Sequence, residues 1–113
     1  MTQFRTAASI ACLLLSLVTA PAVAQDLWIN EFHYDNAGSD VGEFIEVVVA
    51  DSVATAPASI DVVLYNGSNG ESYDSHALSS FAAITIPGFT IYSKAISGIQ
   101  NGGPDGGALI DDG

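Results

Sequence analysis

The chain has 113 residues, 49% of them hydrophobic, and carries thirteen Asp and Glu against two Lys and Arg, for a formal net charge of −11. Neutralising a phosphate backbone takes clustered Lys and Arg, which are absent here, so the composition argues against direct nucleic-acid binding, and the same field disfavours docking on anionic lipid. It favours cations and basic partners, while acidity that merely keeps a protein soluble accounts for the charge equally well.

Residues 1–24 read as a secretory signal peptide, expected to be helical. Arg5 supplies a positive start, AASIACLLLSLV the apolar stretch, and Ala22-Val23-Ala24 a small-x-small cleavage site. The apolar run is short for a bilayer span and is followed by Pro21 and small residues. The expected location is therefore secreted, extracellular or periplasmic, with no membrane association after cleavage. A lipid anchor on Cys12 would lack the usual leading Leu and almost all of the apolar stretch.

Cleavage removes the only cysteine, so the remaining domain cannot use disulfides although its compartment permits them. Residues 25–113, which are 113 less 24, or 89 residues, make one domain at most, near the small end for an independent core. All thirteen acids lie in this part, and Lys94 is its one fixed positive charge, a balance of 1 − 13 = −12.

In chain order, period-two alternation predicts strands at 27–34, 43–50, 60–66, 81–87, 89–94 and 107–111. Ile45, Val47 and Val49 share one face of the second, and Ile60, Val62 and Leu64 one face of the third. These form the expected core, joined by Ile29, Ile84, Ile86, Ile91 and Leu109. The connections at 35–42, 51–59, 66–76 and 98–107 are rich in Gly, Asn, Asp, Ser and Pro, and the Asn-Gly steps at 66–67 and 69–70 favour positive dihedrals. Many short strands with such turns predict an all-β sandwich or barrel. Six strands fall short of the roughly seven of an immunoglobulin-type sandwich, and an unpaired edge invites pairing with whatever follows. A domain truncated at its C-terminus is the expectation.

The acidic turn offers the one candidate metal site. Ca²⁺ takes about six to eight oxygen ligands, and Asp35, Asn36, Asp40 and Glu43 lie on one loop, although their spacing is not that of an EF-hand. The competing reading is that Asp, Asn and Gly simply make the turn. Alternation puts Glu31 on the face of core-directed Ile29, so its carboxylate is expected to be partly buried and hydrogen-bonded. His33 and His76 lack the nucleophile and orienting partner of acyl-transfer chemistry, no Gly-x-Ser-x-Gly elbow occurs, and no short-spaced ligand pair suggests zinc. Trp28, Phe44, Tyr65, Tyr73, Phe89 and Tyr92 supply either core or a sugar-stacking platform.

The stretches LWINEFHYDNAGSDVGEFIEV, VVLYNGSNGESYDSHAL and GIQNGGPDGGALID, in that order, resemble lamin-tail-type domains of secreted bacterial and algal proteins. The most specific pieces are Ile29-Asn30-Glu31 with Glu43-Phe44-Ile45-Glu46, Leu64-Tyr65-Asn66-Gly67, and residues 100–106. The family's Leu-Ser-Gly-Trp lead into the third strand is missing from DSVATAPASID. The resemblance implies an immunoglobulin-like antiparallel β-sandwich, lacking its last strand or strands. It also implies a non-catalytic accessory module, often leading extracellular nucleases or phosphatases.

Three functions follow as expectations: a module for attachment or domain organisation in a longer extracellular protein, meeting an extracellular protein or surface glycan; the leading fragment of a secreted nuclease or phosphatase with catalysis downstream; or a Ca²⁺-dependent adhesion or carbohydrate-binding module. No other cofactor is expected.

Overall fold

The computed structural model describes residues 26–34, 38–39 and 41–113, so the signal expected at 1–24 lies outside the described residues. Among them no helix is long and apolar enough to cross a membrane. Seven strands are described: β1 (Leu27–His33), β2 (Phe44–Ala50), β3 (Ile60–Asn66), β4 (Glu71–Ala77), β5 (Ala82–Ile86), β6 (Phe89–Ala95) and β7 (Gly106–Asp111). Single 3₁₀ turns at Pro57–Ser59 and Leu78–Ser80 precede β3 and β5. All ladders are antiparallel, and they build a four-stranded sheet in the order β1-β2-β6-β5 and a three-stranded sheet in the order β4-β3-β7. The fold is an all-β sandwich.

The centres of the two sheets explain why the chain folds this way. β2 reads Phe-Ile-Glu-Val-Val-Val-Ala and β3 Ile-Asp-Val-Val-Leu-Tyr-Asn, both rich in β-branched residues that suit a pleated, buried surface. Ile45, Val47, Ile60, Val62 and Leu64 are completely buried, and with Val49 they form the heart of the core. Leu27, Ile29, Phe32, Tyr92 and Leu109 pack around them, partly buried.

Four further core residues, Leu78, Phe81, Ile96 and Ile99, come from connections rather than strands. Leu78 and Phe81 sit where the chain passes from β4 in one sheet to β5 in the other, and Ile96 and Ile99 where it returns from β6 to β7. These crossings plug the sides of the sandwich.

The structure corrects the expected strands and core in three places. β4 falls in a stretch read as loop, raising the strand number from six to seven. Ile84 and Ile86, expected in the core, are 67% and 42% exposed. β5 is exposed along its whole length, because a four-stranded sheet facing a three-stranded one leaves an edge strand uncovered. Ile91 is half-buried but pairs with Val48, not with the core-facing Val47, so it lies on the outer face of its sheet.

Turn chemistry is specific. Pro87 and Gly88, the latter at φ 89°, close the two-residue β5–β6 hairpin, so the strand ends at Ile86. Of the two Asn-Gly steps, Gly70 takes the expected positive φ of 74° but Gly67 does not. In unfolding titrations we expect Leu64→Ala to lose about 2–5 kcal/mol, as for a fully buried Leu. Ile84→Ala, compared in solutions dilute enough to hold single copies, should stay within about 0.5 kcal/mol of the parent, as for an exposed side chain. Equal losses at the two positions would contradict this burial pattern.

Candidate functional site

Glu43, Asn66, Gly67 and Tyr73 are brought together by hydrogen bonds to the segment 98–105. Glu43, just before β2, is the one buried charged side chain among the described residues, 8% exposed. One carboxylate oxygen accepts the Gly98 N–H at 2.6 Å and the other the Ile99 N–H at 3.0 Å, while its carbonyl accepts the Ile96 N–H at 3.1 Å. A buried carboxylate needs donors, and here they are main-chain amides of the crossing that carries Ile96 and Ile99 into the core.

The same segment is held from the other sheet. Tyr73 Oη accepts the Gln100 N–H at 3.0 Å, and Asn66 Nδ2 donates to Gln100 Oε1 at 2.9 Å. Gly67 donates its N–H to Asp105 Oδ1 at 2.8 Å. A Cβ at position 67 would stand 2.2 Å from the Pro104 carbonyl oxygen, so this glycine is required by close backbone approach rather than by its dihedral. Asn66 also accepts from Ser68 N–H and Oγ, making the Asx turn that starts the β3–β4 hairpin. Asn66-Gly67-Ser68 matches the Asn-x-Ser acceptor pattern for N-glycosylation, and the Asn66 side-chain nitrogen donates to Gln100 here.

Asp35, Asn36 and Asp40 of the candidate Ca²⁺ set lie outside the described residues, and Glu43 turns its carboxylate to the Gly98 and Ile99 amides. Among the described residues no group of three or more His, Cys, Asp or Glu side chains is arranged to hold a metal ion.

Glu31 is exposed rather than partly buried. A bulge between Ile29 and Glu31 shifts the β1–β2 register, turning Glu31 to the solvent side opposite Glu46. Asn30 Nδ2 donates to Glu46 Oε1 at 2.6 Å beside this like-charge pair.

The two histidines are separated by the fold. His33 stacks on Phe44 with ring centroids 5.5 Å apart on the outer face of the four-stranded sheet. His76 pairs with Val62 and so faces the interior. There Lys94 Nζ lies 3.2 Å from His76 Nδ1 and donates to Ser80 Oγ at 2.9 Å, and it sits 5.6 Å from the Phe81 ring centroid. An ammonium has no lone pair, so Nδ1 accepts and Nε2 carries the proton towards Asp74 Oδ2, 3.0 Å away. Ser80 Oγ in turn donates to the Ala77 carbonyl at 2.7 Å.

This Asp74–His76–Lys94–Ser80 chain joins β4 of one sheet to β6 of the other. It differs from a nucleophile–base pair, because the acceptor nitrogen of the imidazole is filled by Lys94 and not by a hydroxyl. Sequence reasoning missed it because β4 was read as loop. The signal was the only lysine after position 24 standing in a strand otherwise free of charge.

The aromatic residues do not form one platform. Trp28 and Phe89 meet edge-to-face at 5.9 Å, while Tyr73 and Tyr92 pack on the core. A cleft of about 380 Å³ lies between Ile29, Phe32 and Tyr34 on one side and residues 100–107 on the other. A second, lined by Leu27, Trp28, Ile29 and residues 107–109, continues it along the β1–β7 seam.

No family model matches the chain, and no curated protein or solved structure matches it significantly.

Two substitutions test the contacts to the segment 98–105. Glu43→Ala strands two partly buried N–H groups and is expected to cost about 2–4 kcal/mol in urea unfolding, with Glu43→Gln, which keeps one acceptor, losing less. Gly67→Ala should cost about 1–3 kcal/mol, because the Pro104 backbone must move. Parent-like unfolding midpoints for both Ala variants would show that the crossing is not held in this way.

Proposed function

We propose that this chain is an exported, non-catalytic sandwich module of lamin-tail, immunoglobulin-like type, serving attachment or domain organisation within a longer extracellular polypeptide. The observation that carries the reading is how the described polar side chains are used. Glu43, Asn66, Tyr73 and Asp105 hold one crossing, and Asp74, His76, Lys94 and Ser80 tie the two sheets together. Groups spent on scaffolding are not poised for proton transfer or nucleophilic attack.

Topology supports the immunoglobulin-like part of the reading. Four strands in the order first, second, sixth, fifth facing three in the order fourth, third, seventh correspond to A-B-E-D against C′-C-F. In that correspondence the outer edge of β7 and the apolar seam towards β1 are where a further strand pairs. Leu27, Ile29, Phe32 and Leu109, only partly buried along this seam, suit such a neighbour.

The purified protein, assayed against phosphomonoesters, phosphodiesters and DNA with Mg²⁺ and Ca²⁺, is expected to release no product. Turnover that follows the protein through purification would overturn the reading. Differential scanning calorimetry separates it from the Ca²⁺-dependent alternative: the scaffold is expected to melt at the same temperature in chelator and in millimolar Ca²⁺. A concentration-dependent rise in Tm would instead favour an ion-binding module.

A further inference from the structure

The four sheet edges are not alike. β1 has a bulge between Ile29 and Glu31, with Asp26 just before the strand. β4 pairs with β3 through an irregular register and carries Glu71 and Asp74. β7 carries Asp111, with Asp105 and Asp112 flanking it. β5 has none of these features. Its register with β6 runs unbroken from Ala82↔Ser93 to Ile86↔Phe89, all five residues are exposed, and residues 75–93 contain no Asp, Glu, Lys or Arg. Free edges are ordinarily blunted by charge, proline or bulges, and β5 is the one edge strand here with neither a charge in or beside it nor a break in its register.

We propose that β5 is a homodimerisation edge, along which two copies pair antiparallel about a two-fold axis at Ile84 and merge their four-stranded sheets into one.

The main-chain geometry fits. In a two-residue hairpin the residues flanking the loop, Ile86 and Phe89, exchange ladder bonds, and bonding then alternates along the strand. Ala82, Ile84 and Ile86 therefore direct their N–H and C=O groups to β6, and Ala83 and Thr85 direct theirs outward. In the two-fold register Ala83 meets Thr85 of the second copy and each such pair exchanges both bonds. Ile84 then faces its own copy as a non-hydrogen-bonded pair, and Ala82 lies opposite Ile86, small against large.

The charge distribution selects a second copy over another partner. With thirteen acids elsewhere, this hairpin is the surface on which two such chains meet without opposing carboxylates. A basic partner, which the overall field attracts, would gain nothing from the one acid-free edge. The same reasoning sets a salt dependence: screening of the remaining repulsion strengthens the dimer. This inference goes beyond the module reading and stands whether or not that reading holds.

Sedimentation velocity of the purified protein is expected to show a dimer whose fraction rises with concentration and with salt. Thr85→Pro removes an outward N–H while leaving the β5–β6 ladder intact, and Ile84→Lys sets two ammonium groups opposite one another on the axis. Both should sediment as monomers with the circular-dichroism spectrum of the parent. Ile84→Cys is expected to oxidise to a disulfide-linked dimer, because directly opposed, non-hydrogen-bonded positions lie within disulfide reach, whereas Ser75→Cys on the β4 edge is not. A parent that stays monomeric at every concentration and salt would overturn the proposal, as would a dimer that survives both substitutions or equal cross-linking at 84 and 75. Should either substitution unfold the chain, the cysteine pair decides.

Discussion

The sandwich depends on one contact, that between the inner faces of β2 and β3. Ile45, Val47 and Val49 from one sheet meet Ile60, Val62 and Leu64 from the other, and five of these six are completely buried. The described domain contains no cysteine, so its stability rests on apolar burial at about 25 cal/mol per Å² and on the satisfaction of the polar groups buried with it. In a domain this small the margin is narrow. The chain therefore closes the open sides of the sandwich with residues from its crossings.

Each crossing is fixed by polar groups whose positions are otherwise hard to understand. Leu78 and Phe81 enter the core beside the Lys94–Ser80 and Lys94–His76 contacts. Ile96 and Ile99 enter beside the Glu43 carboxylate. A surface ion pair is worth little, but a carboxylate accepting two amides at a buried site sets a loop's path, since losing it leaves unsatisfied donors. The lone lysine and the one buried acid among the described residues are thus both placed where the chain changes sheet.

Much of this was legible in the sequence. Alternation located six of the seven strands and the two central faces, because Ile45-x-Val47-x-Val49 and Ile60-x-Val62-x-Leu64 are paired across a core on one side only. β4 escaped the same rule. Its inward-facing His76 meets Lys94 and Asp74 rather than apolar neighbours, so Glu-Ser-Tyr-Asp-Ser-His-Ala shows no hydrophobic period. Ile84 and Ile86 misled for the opposite reason. Their alternation is real, yet a pattern read along one strand does not tell which face is covered. Glu31 was misassigned by a single extra residue, since a bulge reverses the face of everything beyond it. Glu43 drew attention as a candidate ligand in an acidic turn, but its partners lie 55 and 56 residues away on a crossing, a distance over which spacing carries no information.

Glu43, Asn66, Tyr73, Asp105, His76 and Lys94 make contacts that hold the architecture, and the crossing at residues 96–100 is as firmly part of the fold as the central strands. Native-state amide hydrogen exchange tests this most directly. The Gly98 and Ile99 amides are predicted to open with a free energy close to that of the core amides of Val47 and Val62. Exchange of Gly98 and Ile99 at the rate of an unprotected loop, while the strands stay protected, would contradict it.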